Sequence, residues 1–155
     1  MYLKDANILL RRAIASAYFE PELLKLGYER SKIKHQNLGE GGFSKNDLLH
    51  LFFDYETGSE YPDGDEWLIV EYIVPHNVAL PDVLKSPDLF TTLPIGGGSH
   101  HWRHRELIRY RSGKMKKLDE AMNFIDLKCS ELLKTLEDNS VSKIVKGSSK
   151  KEKLT

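Results

Sequence analysis

The sequence predicts an α+β fold: a small antiparallel sheet of about three strands, with N- and C-terminal helices packed on one face. Apolar residues recur at helical spacing at both ends of the chain, whereas the middle holds segments rich in aromatic and β-branched residues. Clusters of turn-forming residues separate those segments. The 155 residues are enough for one domain with its own core.

Hydrophobic periodicity predicts the two helices. Near the N-terminus it runs to Pro21, which ends or kinks the helix, and "PELLKLG" then reads as a short second helix stopped by Gly27. From Lys116 onward the apolar residues alternate steps of four and three: Leu118, Met122, Ile125, Cys129, Leu132 and Leu136. After Asn139 the composition becomes polar and basic. We therefore predict one domain over residues 1–139 and a mobile basic tail over residues 140–155.

Two central segments predict a β-hairpin. "LLHLFFDYE" (48–56) and "EWLIVEYIVP" (66–75) lie on either side of "TGSEYPDGD", a cluster of turn formers. Residues 48–53 could instead form a short helix capped by Ser44. The following crossover, residues 76–99, contains "PDVLKSPDLF", for which we expect one or two helical turns.

The segment "HHWRHRELIRYR" (100–111) admits two interpretations. As a helix it would place His100 and His104 one turn apart, where two imidazoles can share a zinc ion. Glu106 could then act as general base, and His76 or Asp63 would have to supply the third ligand. The helical interpretation thus predicts a catalytic metal site.

As a strand, the same segment separates its residues by parity. His100 and His104 are then roughly 13 Å apart, too far to bind one ion. Trp102, Ile108 and Tyr110 share one side with His104 and Glu106. The other side is rich in arginine: Arg103, Arg105, Arg109 and Arg111. This division of residues between the two sides favours a third strand over residues 100–111. We therefore expect no metal or other cofactor.

Charge is strongly segregated although the chain is neutral overall, with 23 basic and 23 acidic residues. Neutrality gives no general argument for nucleic acid or a membrane as partner. From residue 54 to 66 there are six acids and no lysine or arginine: Asp54, Glu56, Glu60, Asp63, Asp65 and Glu66. Residues 103–117 contain seven bases and one acid. Either segment could face a partner of opposite charge, or the two could neutralise each other within the fold.

Composition excludes several classes of protein. With Cys129 as its only cysteine, the chain can form neither an intramolecular disulfide nor a thiolate-rich zinc site. Its apolar neighbours predict an inert core thiol. The N-terminus lacks a secretory signal, and no run approaches the roughly 18 apolar residues of a membrane span. We therefore expect a cytoplasmic protein that does not bind membranes.

Catalytic motifs are incomplete. "GGGS" (96–99) lacks a lysine at Walker spacing, and we interpret it as a flexible turn. Asp63, Asp65 and Glu71 flank the hairpin in a way that resembles metal-dependent nucleases of the "PD…(D/E)xK" type, but Ile73 stands where that pattern has lysine. No local serine or cysteine hydrolase signature is present. The sequence thus favours a non-enzymatic role.

These observations predict a protein-binding module of the inhibitor, immunity-protein or adaptor type. Its contact surface would be the acidic, aromatic-flanked hairpin: Asp54, Glu56, Glu60, Tyr61, Asp63, Asp65 and Glu66. The expected partner is a basic protein, for example a nuclease. The alternative is a nucleic-acid-binding protein or metal-dependent nuclease that uses residues 100–111, binding through the four arginines, with His100, His104 and Glu106 as catalytic residues.

Overall fold

The structure of this chain is a computed structural model that describes the backbone of residues 8–57, 66–87, 89–110 and 117–152. Side chains are described for residues 16–54, 68–87, 89–108 and 120–139. In chain order the elements are α1 (Ile8–Lys25), β1 (Glu29–Arg30), β2 (Phe43–Ser44), β3 (His50–Thr57), β4 (Glu66–Val74), α2 (Asp82–Lys85), β5 (Thr91–Gly96), β6 (Ser99–Tyr110) and α3 (Lys117–Glu152).

The strands form one six-stranded antiparallel sheet in the order β1-β2-β3-β4-β6-β5. The α+β class is confirmed, but the prediction of about three strands is wrong. β1 and β2 are two residues each and lie beside a polar, glycine-bearing loop, so they leave no periodicity to detect. β5 contains Pro94 and Gly96, which argue against a strand. Proline is tolerated there because β5 lies at the sheet edge.

The three predicted strands are confirmed as the centre of the sheet. β3 pairs with β4 from His50 opposite Ile73 to Thr57 opposite Glu66. The helical alternative for residues 48–53 is therefore wrong, since pairing begins at His50. The 12-residue β6 pairs with β4 from Trp102 opposite Val74 to Tyr110 opposite Glu66, and its first residues pair with β5, which confirms the strand interpretation of residues 100–111 up to Tyr110.

One face of the sheet, here called the helix face, packs against α1 and α3. Residues 68, 70, 72 and 74 of β4 lie in one buried apolar cluster with side chains of both helices, among them Phe19 of α1 and Ile125 and Cys129 of α3. α1 continues through Pro21 to Lys25, so the predicted break at Pro21 is absent. The predicted stop at Gly27 is confirmed, because this residue adopts a positive φ of 93° that glycine tolerates.

The opposite face, here called the loop face, is covered by residues 31–42, here called the cover loop. Phe52, Ile73 and Leu93 form a second, smaller apolar cluster there, and Ile33 and Leu38 of the cover loop pack against it. In the part of the chain with described side chains, this cluster contains no helix residue. The two faces are therefore sealed by different kinds of structure.

The crossover and the C-terminal segment complete the fold. α2 provides one helical turn within "PDVLKSPDLF", as predicted. The backbone of α3 is helical through Glu152, and the division between a domain and a tail at residue 139 stays a prediction. Of the helices described, none combines the length and apolar composition needed to cross a membrane.

Candidate functional site

Only part of the predicted acidic surface lies within the described residues. Asp54 is buried on β3 and has an interaction partner, so it does not form an open contact surface. Glu56 pairs opposite Trp67, and Glu66 pairs opposite Thr57, at the end of the hairpin. The remaining four residues lie outside the described residues: Glu60, Tyr61, Asp63 and Asp65.

Of the predicted arginines, two have described side chains, and both lie beside a carboxylate. Arg103 Nη1 donates to Glu71 Oε1 at 3.4 Å, and its buried Nε has no partner among the described atoms. Arg105 is exposed and pairs across the strands with Glu71. Arg109 pairs opposite Trp67, and Arg111 lies outside the described residues. Within its described part, the arginine side of β6 is thus partly neutralised by Glu71.

Of the three predicted catalytic residues, His104 and Glu106 lie together, but His100 lies apart from them. His104 Nε2 lies 2.7 Å from Glu106 Oε1, whereas the His100 ring contacts Trp102, with 5.0 Å between ring centroids. Across the side chains that the structure describes, no group of three or more His, Cys, Asp or Glu residues could hold a metal ion. The extended backbone of β6 separates the two histidines, as the strand interpretation requires.

His104 lies on the helix face between two acceptors. Its Nδ1 donates to the carbonyl of Leu89 at 2.7 Å, and its Nε2 faces the Glu106 carboxylate at the same distance. A neutral imidazole carries one N–H, so it can donate to only one of these oxygens. Lys128 Nζ also lies 3.8 Å from Glu106 Oε1. The two oxygens therefore compete for the single N–H of a neutral His104 ring.

The loop face holds a buried polar cluster that the sequence analysis missed. Glu71 lies in the middle of β4 with 3% of its surface exposed, and His35 of the cover loop donates to it from Nε2 at 3.0 Å. Burial alone would raise the pKa of Glu71. The hydrogen bond from His35 opposes burial, the charges of Arg103 and Arg105 add to its effect, and the pKa of Glu71 lies below its ordinary value.

His35 is held from both sides. The backbone N–H groups of Asn37 and Leu38 donate to its Nδ1 at 3.0 and 3.1 Å. Nδ1 must therefore be unprotonated, and the single ring N–H lies on Nε2, which faces Glu71. His35 thus fixes the turn of the cover loop and attaches the loop to the central strand of the sheet.

His50 makes a second attachment. The Ser31 hydroxyl donates to His50 Nδ1 at 2.6 Å, and His50 Nε2 donates to the carbonyl of Asp47 at 3.2 Å. Burial lowers the pKa of His50, more than its contact with Asp47 raises it. A serine beside a neutral imidazole resembles an activated nucleophile. However, the Ser31 oxygen also accepts the N–H of Ile33, so its described contacts are those of a turn that anchors the loop.

His101 on β6 is a third buried histidine that accepts a hydrogen bond at Nδ1. The backbone N–H of His76 donates to its Nδ1 at 3.1 Å, and the two rings are 5.6 Å apart. Burial lowers the pKa of His101, and positive charge on a neighbouring histidine would lower it further, the neighbours being His76, His50, His35 and His100. The three buried histidines of the loop face thus share one arrangement, with Nδ1 as acceptor.

One signal in the sequence could have located this cluster. Glu71 interrupts the apolar run "LIVEYIV", and a carboxylate on a buried strand requires a partner. The identity of that partner could not be read from spacing, because His35 lies 36 residues earlier, in a loop. No protein family model, curated protein or solved structure matches this chain. Its function is therefore argued from these sites alone.

Proposed function

We propose that this chain is a non-enzymatic, cytoplasmic protein-binding module that contacts a basic partner through the end of the β3–β4 hairpin. The register carries the proposal: Thr57 pairs with Glu66, so residues 58–65 join two paired central strands. Glu56 and Glu66 flank this connection, which contains four further predicted contact residues: Glu60, Tyr61, Asp63 and Asp65. A loop positioned by a rigid scaffold is a common location for binding residues.

The chemistry of the hairpin end suits a positively charged protein. Carboxylates speed the encounter with a basic surface and select against acidic ones. A tyrosine among them adds a large side chain of the kind enriched at interaction hot spots. An inhibitor or immunity protein of this type would occupy the phosphate-binding cleft of a basic nuclease. An adaptor would use the same surface to link two proteins.

A second candidate function is nucleic-acid binding through β6. The specific observation in its favour is Arg105, which is exposed on the loop face. Arg109 and Arg111 continue the same parity towards and beyond the end of the strand. Arg103 weakens this candidate because its guanidinium already bonds Glu71. A carboxylate beside the arginines also repels phosphate.

Charge reversal tests the first proposal. We expect affinity capture from the native cell to recover a basic protein, and the purified pair to dissociate at high salt. The triple variant Asp63→Lys, Asp65→Lys and Glu66→Lys should weaken binding by at least about tenfold. The matched control reverses three exposed acids of α3 and should bind normally: Glu120, Glu131 and Asp138.

The same assays separate the two candidates. Binding of labelled RNA or DNA that falls steeply with salt, and is lost when Arg103, Arg105 and Arg109 become alanine, would replace the first proposal with the second. Capture of a partner whose affinity is the same for the hairpin variant and the α3 control would contradict the hairpin proposal.

A further inference from the structure

Five of the six histidines gather around one end of the sheet, and three of them are buried. The buried rings are His35 on the cover loop, His50 on β3 and His101 on β6. A positive charge on any of the other four histidines of this group would disfavour a proton on His101. Nothing in the proposed binding function uses this cluster.

The hydrogen bonds of the cluster require neutral rings. His35 and His101 each accept backbone N–H groups at Nδ1, and a backbone donor cannot reverse its direction. A proton on either Nδ1 would face another N–H and break the bond. His50 accepts from the Ser31 hydroxyl, which can rotate, but the ring is 1% exposed and burial disfavours its charged form.

The charged groups around these rings do not remove the conflict. Glu71 accepts the Nε2 proton that the neutral His35 ring already carries, and the same carboxylate is shared with Arg103 and lies opposite Arg105. Asp47 favours a proton on His50 less strongly than burial disfavours it. Around His101 the neighbouring charges come from other histidines, which repel a proton.

Two of the three rings attach the cover loop to the sheet. His35 reaches from the loop to Glu71, and Ser31 at the start of the loop bonds His50. We propose that the cover loop opens in mild acid, because a charged His50 is unfavourable while it is buried and a proton on His35 Nδ1 would displace the loop N–H groups bonded there. Opening exposes the apolar cluster beneath it: Phe52, Ile73 and Leu93.

The sign of the effect follows from linkage. The pKa of His50, the ring that Ser31 of the cover loop contacts, is lowered in the closed state from an ordinary value of 6.5. The closed state therefore has its full stability above that ordinary value and loses it as pH falls below about 6.5. For each proton that only the open state binds, the closed-to-open ratio falls up to about tenfold per pH unit.

Hydrogen exchange measured by mass spectrometry on the full chain tests the proposal. Exchange at pH 7.5 and pH 5.5 is corrected for the intrinsic pH dependence of amide exchange. Peptides covering residues 31–42 should lose at least about tenfold in protection at the lower pH. Peptides from residues 120–136 of α3 should keep theirs, because their side chains belong to the helix face.

Two variants sharpen the test. In His50→Asn the side-chain oxygen can still accept from Ser31 but cannot titrate, so the loss of protection should begin at a lower pH. His100→Asn removes a neighbouring histidine that makes no attachment to the cover loop, and it should respond as the native chain does. If His50→Asn fails to fold, the native chain still tests the proposal. The change in protection between the two pH values is then compared for residues 31–42 and for α3.

Several results would overturn the proposal. One is equal protection of residues 31–42 at both pH values. Another is a parallel loss of protection in α3, which would indicate global acid unfolding instead of loop opening. A His50→Asn variant that folds and opens at the native pH would also contradict it.

Discussion

The helix face and the loop face of this sheet are both buried, but different interactions hold them closed. Two helices cover the helix face with apolar side chains such as Phe19 and Ile125. The loop face relies on a small apolar cluster together with hydrogen bonds from His35 and Ser31 to the sheet. Apolar burial is insensitive to pH, whereas hydrogen bonds to imidazole depend on where each proton lies. One sheet thus combines a pH-independent apolar core with a pH-dependent cover.

His101 and His104 show the contrast within a single strand. They lie three residues apart on β6 and therefore on opposite faces. His101 accepts a backbone N–H at its Nδ1, whereas His104 Nδ1 donates to a carbonyl and its Nε2 faces a carboxylate oxygen. The same residue type thus has opposite hydrogen-bonding roles on the two faces.

The largest effect should come from the helix face. Ile125→Ala removes a fully buried side chain of α3 and should lower the free energy of unfolding by about 3–5 kcal/mol. The loss should be similar at pH 7.5 and pH 6, and urea denaturation at both values measures it. Leu127→Ala, at an exposed position of the same helix, is the control and should cost under about 0.5 kcal/mol. Equal costs for the two variants would contradict the assigned core.

A smaller effect is expected where the cover loop meets β3. A Cβ added at Gly42 would lie 2.6 Å from the Phe52 ring and 2.8 Å from the Leu51 carbonyl. Gly42→Ala should therefore cost about 1–3 kcal/mol, because either the ring or the loop has to move. Hydrogen exchange should increase in residues 31–42 and stay unchanged in α3. An unaltered cover loop would show that the loop is not packed against β3.

Removal of the charge on Glu71 should have a similar or smaller effect. Glu71→Gln keeps an oxygen for His35 and Arg103 but removes the charge, and should cost about 1–2 kcal/mol at pH 7. The lowered pKa of Glu71 stabilises the fold above the ordinary value of 4.5, and this contribution disappears as pH falls below it. Native and variant stabilities should therefore converge in acid. A difference that stays constant from pH 7 to pH 3 would exclude an ionised Glu71.

The smallest effect concerns Cys129 on the helix face. Burial raises the pKa of its thiol to about 11, from an ordinary value of 9.0. At pH 8 the folded chain should therefore present about 100-fold less thiolate than the unfolded chain. Reaction with a disulfide reagent should be correspondingly slow until urea is added. Rapid reaction of the folded chain would contradict the sealed helix face.

The helix face was largely predictable from sequence, and the loop face was not. Alternation along β4 and helical spacing in α3 both assign residues to a core, because burial alone decides those positions. β5 was missed because Pro94 is acceptable only at an edge, and an edge is a property of the assembled sheet. The sequence pattern places Glu71 only in a nuclease-like arrangement of acids. Its contact with His35 depends on how the cover loop folds back, which sequence spacing does not encode.

The most direct test of the contrast between the faces is the protonation state of each imidazole. Long-range ¹H–¹⁵N correlation spectra distinguish the two ring nitrogens of every histidine. At pH 7 we predict protonated Nε2 and bare Nδ1 at the three buried histidines of the loop face, His35, His50 and His101. Protonated Nδ1 at His35 or His101 with the cover loop still closed would contradict the account.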